Sequence, residues 1–460
     1  MVFFIPLIMQ KNIYILALLI LCVCCGKSEK MQLIAASHSK VEFNNIVTES
    51  DSLNILIYEY IYNGGGVALA DFNKDGLDDI YFTGNVVDNA LYLNKGNLVF
   101  EDVTKKANVS CSGSWSMGVS VIDINNDGWL DMHIAVSGKV DPEKRKNILL
   151  VNQGLNAEGI PEFTDMAESY GLAHDGFSIN SYFFDYDKDG LLDMFLINNH
   201  FTNRGDALTK RSFQEDKNAP NLNRLFKNVD GQHFKDVTQE SGLLNDAFSL
   251  SANVFDINQD GWDDIFVSND FVTSSTAFIN QKDGTFKDDI GSYFKHQSFS
   301  SMGVDVADFN NDGQDDVITL DMLPQSASRI KQMFPKTNFQ FYDLLDLYKE
   351  KPQYMRNCLY VNTDNNFNEI SQLANVYNTD WSWSPLLADF DDDGYKDLYI
   401  TNGFPRDLTD LDFINYRGSY ESIMATNQDF LDMIPRVKLP NVMFLNSQSN
   451  QFIDQTQSWE

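Results

Sequence analysis

D-F-N-K-D-G-L-D-D, residues 71–79, is the stretch on which the reading turns, because its pattern D-x-[ND]-x-D-G-x-x-D returns at 123–131, 185–193, 256–264, 308–316 and 389–397. Positions one, three, five and nine always carry a side-chain oxygen, and position six is always glycine. Each copy is therefore a tight loop that aims oxygen donors at one point, the arrangement a hard cation such as Ca²⁺ requires, with backbone carbonyls and water completing six to eight ligands. The candidate metal ligands are Asp71, Asn73, Asp75 and Asp79; Asp123, Asn125, Asp127 and Asp131; Asp185, Asp187, Asp189 and Asp193; Asp256, Asn258, Asp260 and Asp264; Asp308, Asn310, Asp312 and Asp316; and Asp389, Asp391, Asp393 and Asp397. A helix-flanked EF-hand loop would need a bidentate Glu at position twelve. That position holds Phe82, Ile134, Leu196, Val267, Thr319 and Ile400 instead, and a β-rich run follows every loop, so each loop is expected to join two strands. Asp, Asn and Gly also favour ordinary turns; that explains one copy, not six with every donor position kept.

The loops account for much of the formal charge of -32. Three or four carboxylates share each one, so without metal their repulsion opposes folding, and up to six Ca²⁺ would offset it. So acidic a chain is not expected to bind nucleic acid. Residues 13–23 form an apolar run after Lys11, too short for a comfortable membrane span and shaped like a secretory signal. Cys24 and Cys25 at its end resemble the acylated cysteine of a bacterial lipoprotein, with Cys25 the preferred residue and Cys24 the alternative. The expected division is a signal at 1–25, a polar tether at 26–39 and a folded body at 40–460. Only Cys111 and Cys358 lie in that body, too few for a disulfide framework.

Around each loop the same parts recur. One strand enters the loop and a second leaves it. A third ends at Asn (N-A-L-Y-L-N from Asn89, N-I-L-L-V-N from Asn147, N-V-M-F-L-N from Asn441), and a short fourth begins near Phe (F-E-D-V-T from Phe100, F-K-D-V-T from Phe234). Four short strands in a repeat of 50 residues or more describe a β-propeller blade. The expectation is an all-β propeller with six recognisable four-stranded blades. Insertions at 200–222, 321–356 and 403–440, between second and third strands, should emerge on one face, with helices near 341–348 and 420–433. The segment V-E-F-N-N-I-V from Val41 reads as a lone fourth strand, which implies an incomplete seventh blade and a truncated chain.

This grammar resembles the FG-GAP, or VCBS, repeat family, known from integrin α-subunit propellers. Y-N-G-G-G-V-A-L-A-D from Tyr62 and R-D-L-T-D-L-D-F-I-N from Arg406 resemble a subgroup of bacterial surface lipoproteins carrying a domain related to cartilage acidic protein. The resemblance implies Ca²⁺ in each loop, with added carbonyl ligands from Leu77, Trp129, Leu191, Trp262, Gln314 and Tyr395. It further implies a cell-envelope lipoprotein, on the outer membrane or cell surface, whose propeller binds a protein or glycan.

The competing class is an enzyme such as a Ca²⁺-dependent polysaccharide lyase, which needs a positioned base and a group to stabilise developing charge. His38, His133, His174, His200, His233 and His296 are scattered, with no metal spacing and no evident nucleophile. Arg329, Lys331 and Lys336 offer charge for an acidic glycan, or simply a solvated helix face. Trp115, Trp381 and Trp383 sit just before inner strands, where packing between blades is the expected role and sugar stacking the alternative. No catalytic residue is assigned.

Overall fold

A computed structural model of the protein describes residues 31–138, 141–199, 217–271, 273–333, 339–348 and 350–459. The expected signal at 1–25 with Cys24 and Cys25, His200, Lys336 and most of the first insertion lie outside these residues. Among the described residues no helix is long and apolar enough to cross a membrane.

Six four-stranded antiparallel sheets follow one another along the chain, each with its strands in sequence order. Blade 1 runs Val67–Ala70, Asp79–Phe82, Ala90–Asn94 and Phe100–Asp102; blade 6 runs Ser382–Ala388, Asp397–Asn402, Val442–Asn446 and Phe452–Asp454. The first strands of successive blades lie side by side at the hub. In each blade position nine of the acidic loop is the first residue of the second strand, paired with the last residue of the first: Ala70 with Asp79, Ile122 with Asp131, Ala388 with Asp397. The loop is thus the hairpin between the two inner strands, at one end of the propeller.

Alternation along the strands gives each blade two apolar faces, which pack on the neighbouring blades. Tyr81, Leu91 and Leu93 of blade 1 meet Met132, Ile134 and Val136 of blade 2. Leu149 and Val151 of blade 2 meet Met194, Leu196 and Phe226 of blade 3, and equivalent layers join blades 4 to 5 and 5 to 6. The outer face of blade 1 is covered only in part, by Val41 and by Phe43, whose ring stacks on Phe82 at 4.8 Å. Val67 and Leu69 there stay 59% and 66% exposed.

Three expectations change. Residues 41–47 form no strand; they lie as extended coil on blade 1, where Tyr92 Oη accepts from Glu42 N–H, so this segment does not begin a seventh blade. The end of the expected tether folds as a short helix, Ala36–Ser39, and His38 reaches Asn97 O at 3.0 Å. The third insertion holds three helical segments where its sequence suggested one: Leu411–Arg417, the 3-10 turn Tyr420–Met424 and Asn427–Met433. Its Asp410 side chain accepts from Asp412 and Phe413 N–H, an N-cap that a turn-rich segment conceals. The second insertion forms Ala327–Gln332 and Phe339–Tyr348, the latter close to the expected range.

Residues 55–61, which a strand-based reading leaves without a role, cross the hub at the end opposite the acidic loops. Ile55 and Ile61 are fully buried, and Tyr58 packs edge-on against Trp115 of blade 2. Tyr60 Oη donates to Asp270 Oδ2 of blade 4 at 3.0 Å, and Tyr62 packs edge-on against Phe404 beyond blade 6. The described parts of the second and third insertions meet at this same end, joined by the Met333–Asp410 bridge.

Candidate metal centre

The loops share one hydrogen-bond scheme. The carboxylate at position one accepts the N–H of position five at 3.0–3.1 Å and that of the glycine at six at 2.7–2.9 Å. Position five accepts the N–H of position seven. Glycine at six has φ between 81° and 91° in every loop, the left-handed region open to it without a Cβ penalty. Position four is also left-handed, although it holds Lys74, Asn126, Lys188, Gln259, Asn311 and Asp392. The sequence pattern marks only the glycine.

Position nine is the anchor. Asp79, Asp131, Asp193, Asp264 and Asp316 are fully buried, and Asp397 is 1% exposed. One oxygen accepts the N–H of position two at 3.0–3.4 Å. The other accepts the N–H of an Asn at the end of the third strand (Asn94, Asn228, Asn280 and Asn446) or shortly before it (Asn152 and Asn362), at 2.7–2.9 Å. Burial pushes the Asp79 and Asp131 carboxyls up to about 6, and those of Asp193, Asp264 and Asp316 up to about 7, against the opposing pull of these N–H donors. The Asn side chains tie blades together as well: Asn152 Nδ2 donates to Phe72 O of blade 1, Asn280 to Tyr186 O of blade 3 and Asn446 to Phe309 O of blade 5.

The donors suit a hard cation. In blades 3 and 6, where position three is Asp, carboxylate oxygens from positions one, three and nine lie within 4.8 Å of one another: Asp185, Asp187 and Asp193, and Asp389, Asp391 and Asp397. Blades 1, 2, 4 and 5 place an Asn carboxamide at position three, whose oxygen accepts the N–H of position five. All-oxygen donors with a high carboxylate share match Ca²⁺ and lack the nitrogen or sulfur of a zinc centre.

The other candidates separate. Trp115 and Trp381 are buried packing residues, but against the hub-crossing Tyr58 and against Phe404 of the third insertion, the latter stacked at 4.0 Å and 7°. Trp383 is half-buried and its Nε1 donates to Gly403 O. Arg329 is not free for a glycan: its guanidinium bridges Asp380 and Asp407, at 2.7 Å to the latter. His133 is buried and His174 half-buried, and desolvation pulls them down to about 3 and about 4, while His233 pairs with Asp230 at 2.8 Å. Cys111 and Cys358 are free thiols.

The opposite end holds a cavity of about 150 Å³ lined by Glu59, Tyr60, Asp270, Met302, Trp381, Trp383, Phe404, Leu408, Thr409 and Arg417. No contiguous stretch announces it. The crossing segment, blade 4, the entry to blade 5, and blade 6 with its insertion each supply part of the wall.

A model of the FG-GAP-like repeat matches residues 54–134, 185–267 and 256–319. No curated protein matches the chain. Among solved structures, the chain is similar to the Photorhabdus luminescens Tc holotoxin pore (17% identity, TM-score 0.33, covering 73% of this chain and 13% of that one). It is also similar to the exotype rhamnogalacturonan lyase YesX (12% identity, TM-score 0.36, covering 74% and 53%). The chain thus spans a small part of the first and about half of the second. It is a six-bladed β-propeller carrying FG-GAP-like repeats.

Proposed function

We propose that the chain is a Ca²⁺-stabilised binding module, tethered to the bacterial envelope through Cys25, that holds metal at one end of the propeller and a glycan at the other. The observation that carries this reading is the cavity at the end opposite the loops. Half-buried Trp383 offers aromatic surface for the C–H face of a sugar ring, with buried Phe404 behind it in the wall. Half-buried Glu59 lines the cavity as a carboxylate suited to sugar hydroxyls, beside buried Asp270, whose Oδ2 already accepts from Tyr60, and exposed Arg417 completes this part of the lining. Two carboxylates against one guanidinium favour a neutral sugar over an acidic one. The metal acts on stability: an ion that binds the folded loops adds its binding free energy to folding.

The test is a glycan array probed with the wild-type protein and with Trp383→Ala. Binding to neutral glycans, lost in the variant while its Ca²⁺-dependent Tm is kept, supports the module. Binding to proteins alone sinks the glycan assignment. Unsaturated sugars released from a polysaccharide would instead establish lyase chemistry. The anchor is tested separately: metabolic labelling with palmitate should mark the wild-type protein and not Cys25→Ser.

A further inference from the structure

Blade 3 differs from the others at one position of its third strand. The residue just before that third-strand Asn is Leu93, Val151, Ile279, Val361 or Leu445 in five blades and Lys227 in blade 3. The Lys227 ammonium pairs with Asp187 Oδ2 and lies 3.1 Å from Asp189 Oδ2, at positions three and five of its own loop. The ammonium also lies 5.9 Å from the centre of the Tyr186 ring, and the side chain is 31% exposed. Blade 3 is also one of the two loops with Asp rather than Asn at position three. Four carboxylates plus one ammonium restore the net charge of the loops that have three Asp and one Asn. Blade 6, the other four-Asp loop, has Leu445 at that register. Lys282 of blade 4 also meets its loop, 3.2 Å from Asp260, but touches position five alone and is 45% exposed.

We propose that Lys227 is a tethered counter-cation that keeps the blade 3 loop ordered without metal and makes it the weakest Ca²⁺ site of the six. The proposal rests on the metal reading above. Asp187 Oδ1 is shut from solvent with no hydrogen-bond partner, and it belongs to the convergent set with Asp185 and Asp193. The ion can therefore still enter, but beside a positive charge. By linkage, whatever Lys227 adds to the metal-free loop it takes from metal binding.

The experiment is Ca²⁺ titration by calorimetry, with Tm in EDTA and in excess Ca²⁺, for the purified wild type, Lys227→Leu, Lys227→Met and Lys227→Arg. Wild type should show one site about ten-fold or more weaker than the rest. In Lys227→Leu and Lys227→Met that site should join the tight class, with Tm lowered in EDTA and recovered in Ca²⁺; Lys227→Arg should behave as wild type. Lys227→Met keeps a long unbranched stem if leucine impairs folding. Unchanged affinities with equal Tm losses in EDTA and Ca²⁺ would reduce Lys227 to a packing residue and overturn the proposal. If neither wild type nor variants take up Ca²⁺, the metal reading itself fails, and the ranking of sites with it.

Discussion

The aspartate at position nine shows how one residue serves both strand and loop. Its place was legible in the sequence as the last donor of a pattern, but its complete burial was not, because nearby polar letters conceal that it starts an inner strand. Burial raises the folded, metal-free pKa to about 6 or 7, against ~3.9 for an unfolded Asp. Between those values the folded state holds protons that the unfolded state has released, so this contribution is full below about pH 4 and lost as pH rises through about 7. Metal-free protein is therefore expected to melt lower at pH 8 than at pH 5, with Ca²⁺ raising Tm more at pH 8. Scanning calorimetry in EDTA and in Ca²⁺ at both values decides it, and a larger Ca²⁺ increment at pH 5 contradicts it. The Asn at or near the end of the third strand was legible only as a strand end, since its backbone and amide partners lie in two other segments. Asn280→Leu should cost about 1–3 kcal/mol by stranding Tyr186 O and opening the blade 3–4 contact, measured by urea unfolding against wild type.

Neighbouring elements are coupled through the loops themselves. Position four reaches the loop of the next blade: Lys74 lies over Trp129 at 4.0 Å and Lys188 over Trp262 at 4.6 Å. Gln259 donates to Gln314 and Asn311 Nδ2 to Gly394 O. The left-handed backbone at position four aims these side chains sideways, which no periodicity signals. At the other end Arg329 bolts the second insertion to Asp380 and Asp407, with side-chain exposures of 19%, 13% and 4%. Arg329→Met should release that insertion and cost roughly 1–3 kcal/mol, less than a fully buried pair because the guanidinium keeps some solvent. Limited proteolysis should then cut near residues 326–356 sooner than in wild type; an unchanged cleavage pattern would show that the bridge does not hold the insertion.

Across the whole molecule, residues 55–61 act as a strap. They touch blade 2 through Trp115 and blade 4 through Asp270, and Tyr62 continues the contact to Phe404. Ile61→Ala removes a fully buried side chain where blades converge, and should cost about 2–5 kcal/mol, as much as a substitution inside a blade. Denaturant unfolding tests this; a loss below about 1 kcal/mol would mean that the strap merely rests on the hub.

Repeat number, strand order and the six acidic loops could be read from the chain because each depends on local letters: a glycine that permits a left-handed turn, oxygens at fixed spacing, and apolar alternation with period two. Tertiary structure alone decided which end of the propeller bears the cavity, that residues 41–47 lie on blade 1 without pairing, and that Lys227 turns into its own loop. Those outcomes depend on contacts between residues tens to hundreds of positions apart, whose free energy no single segment carries.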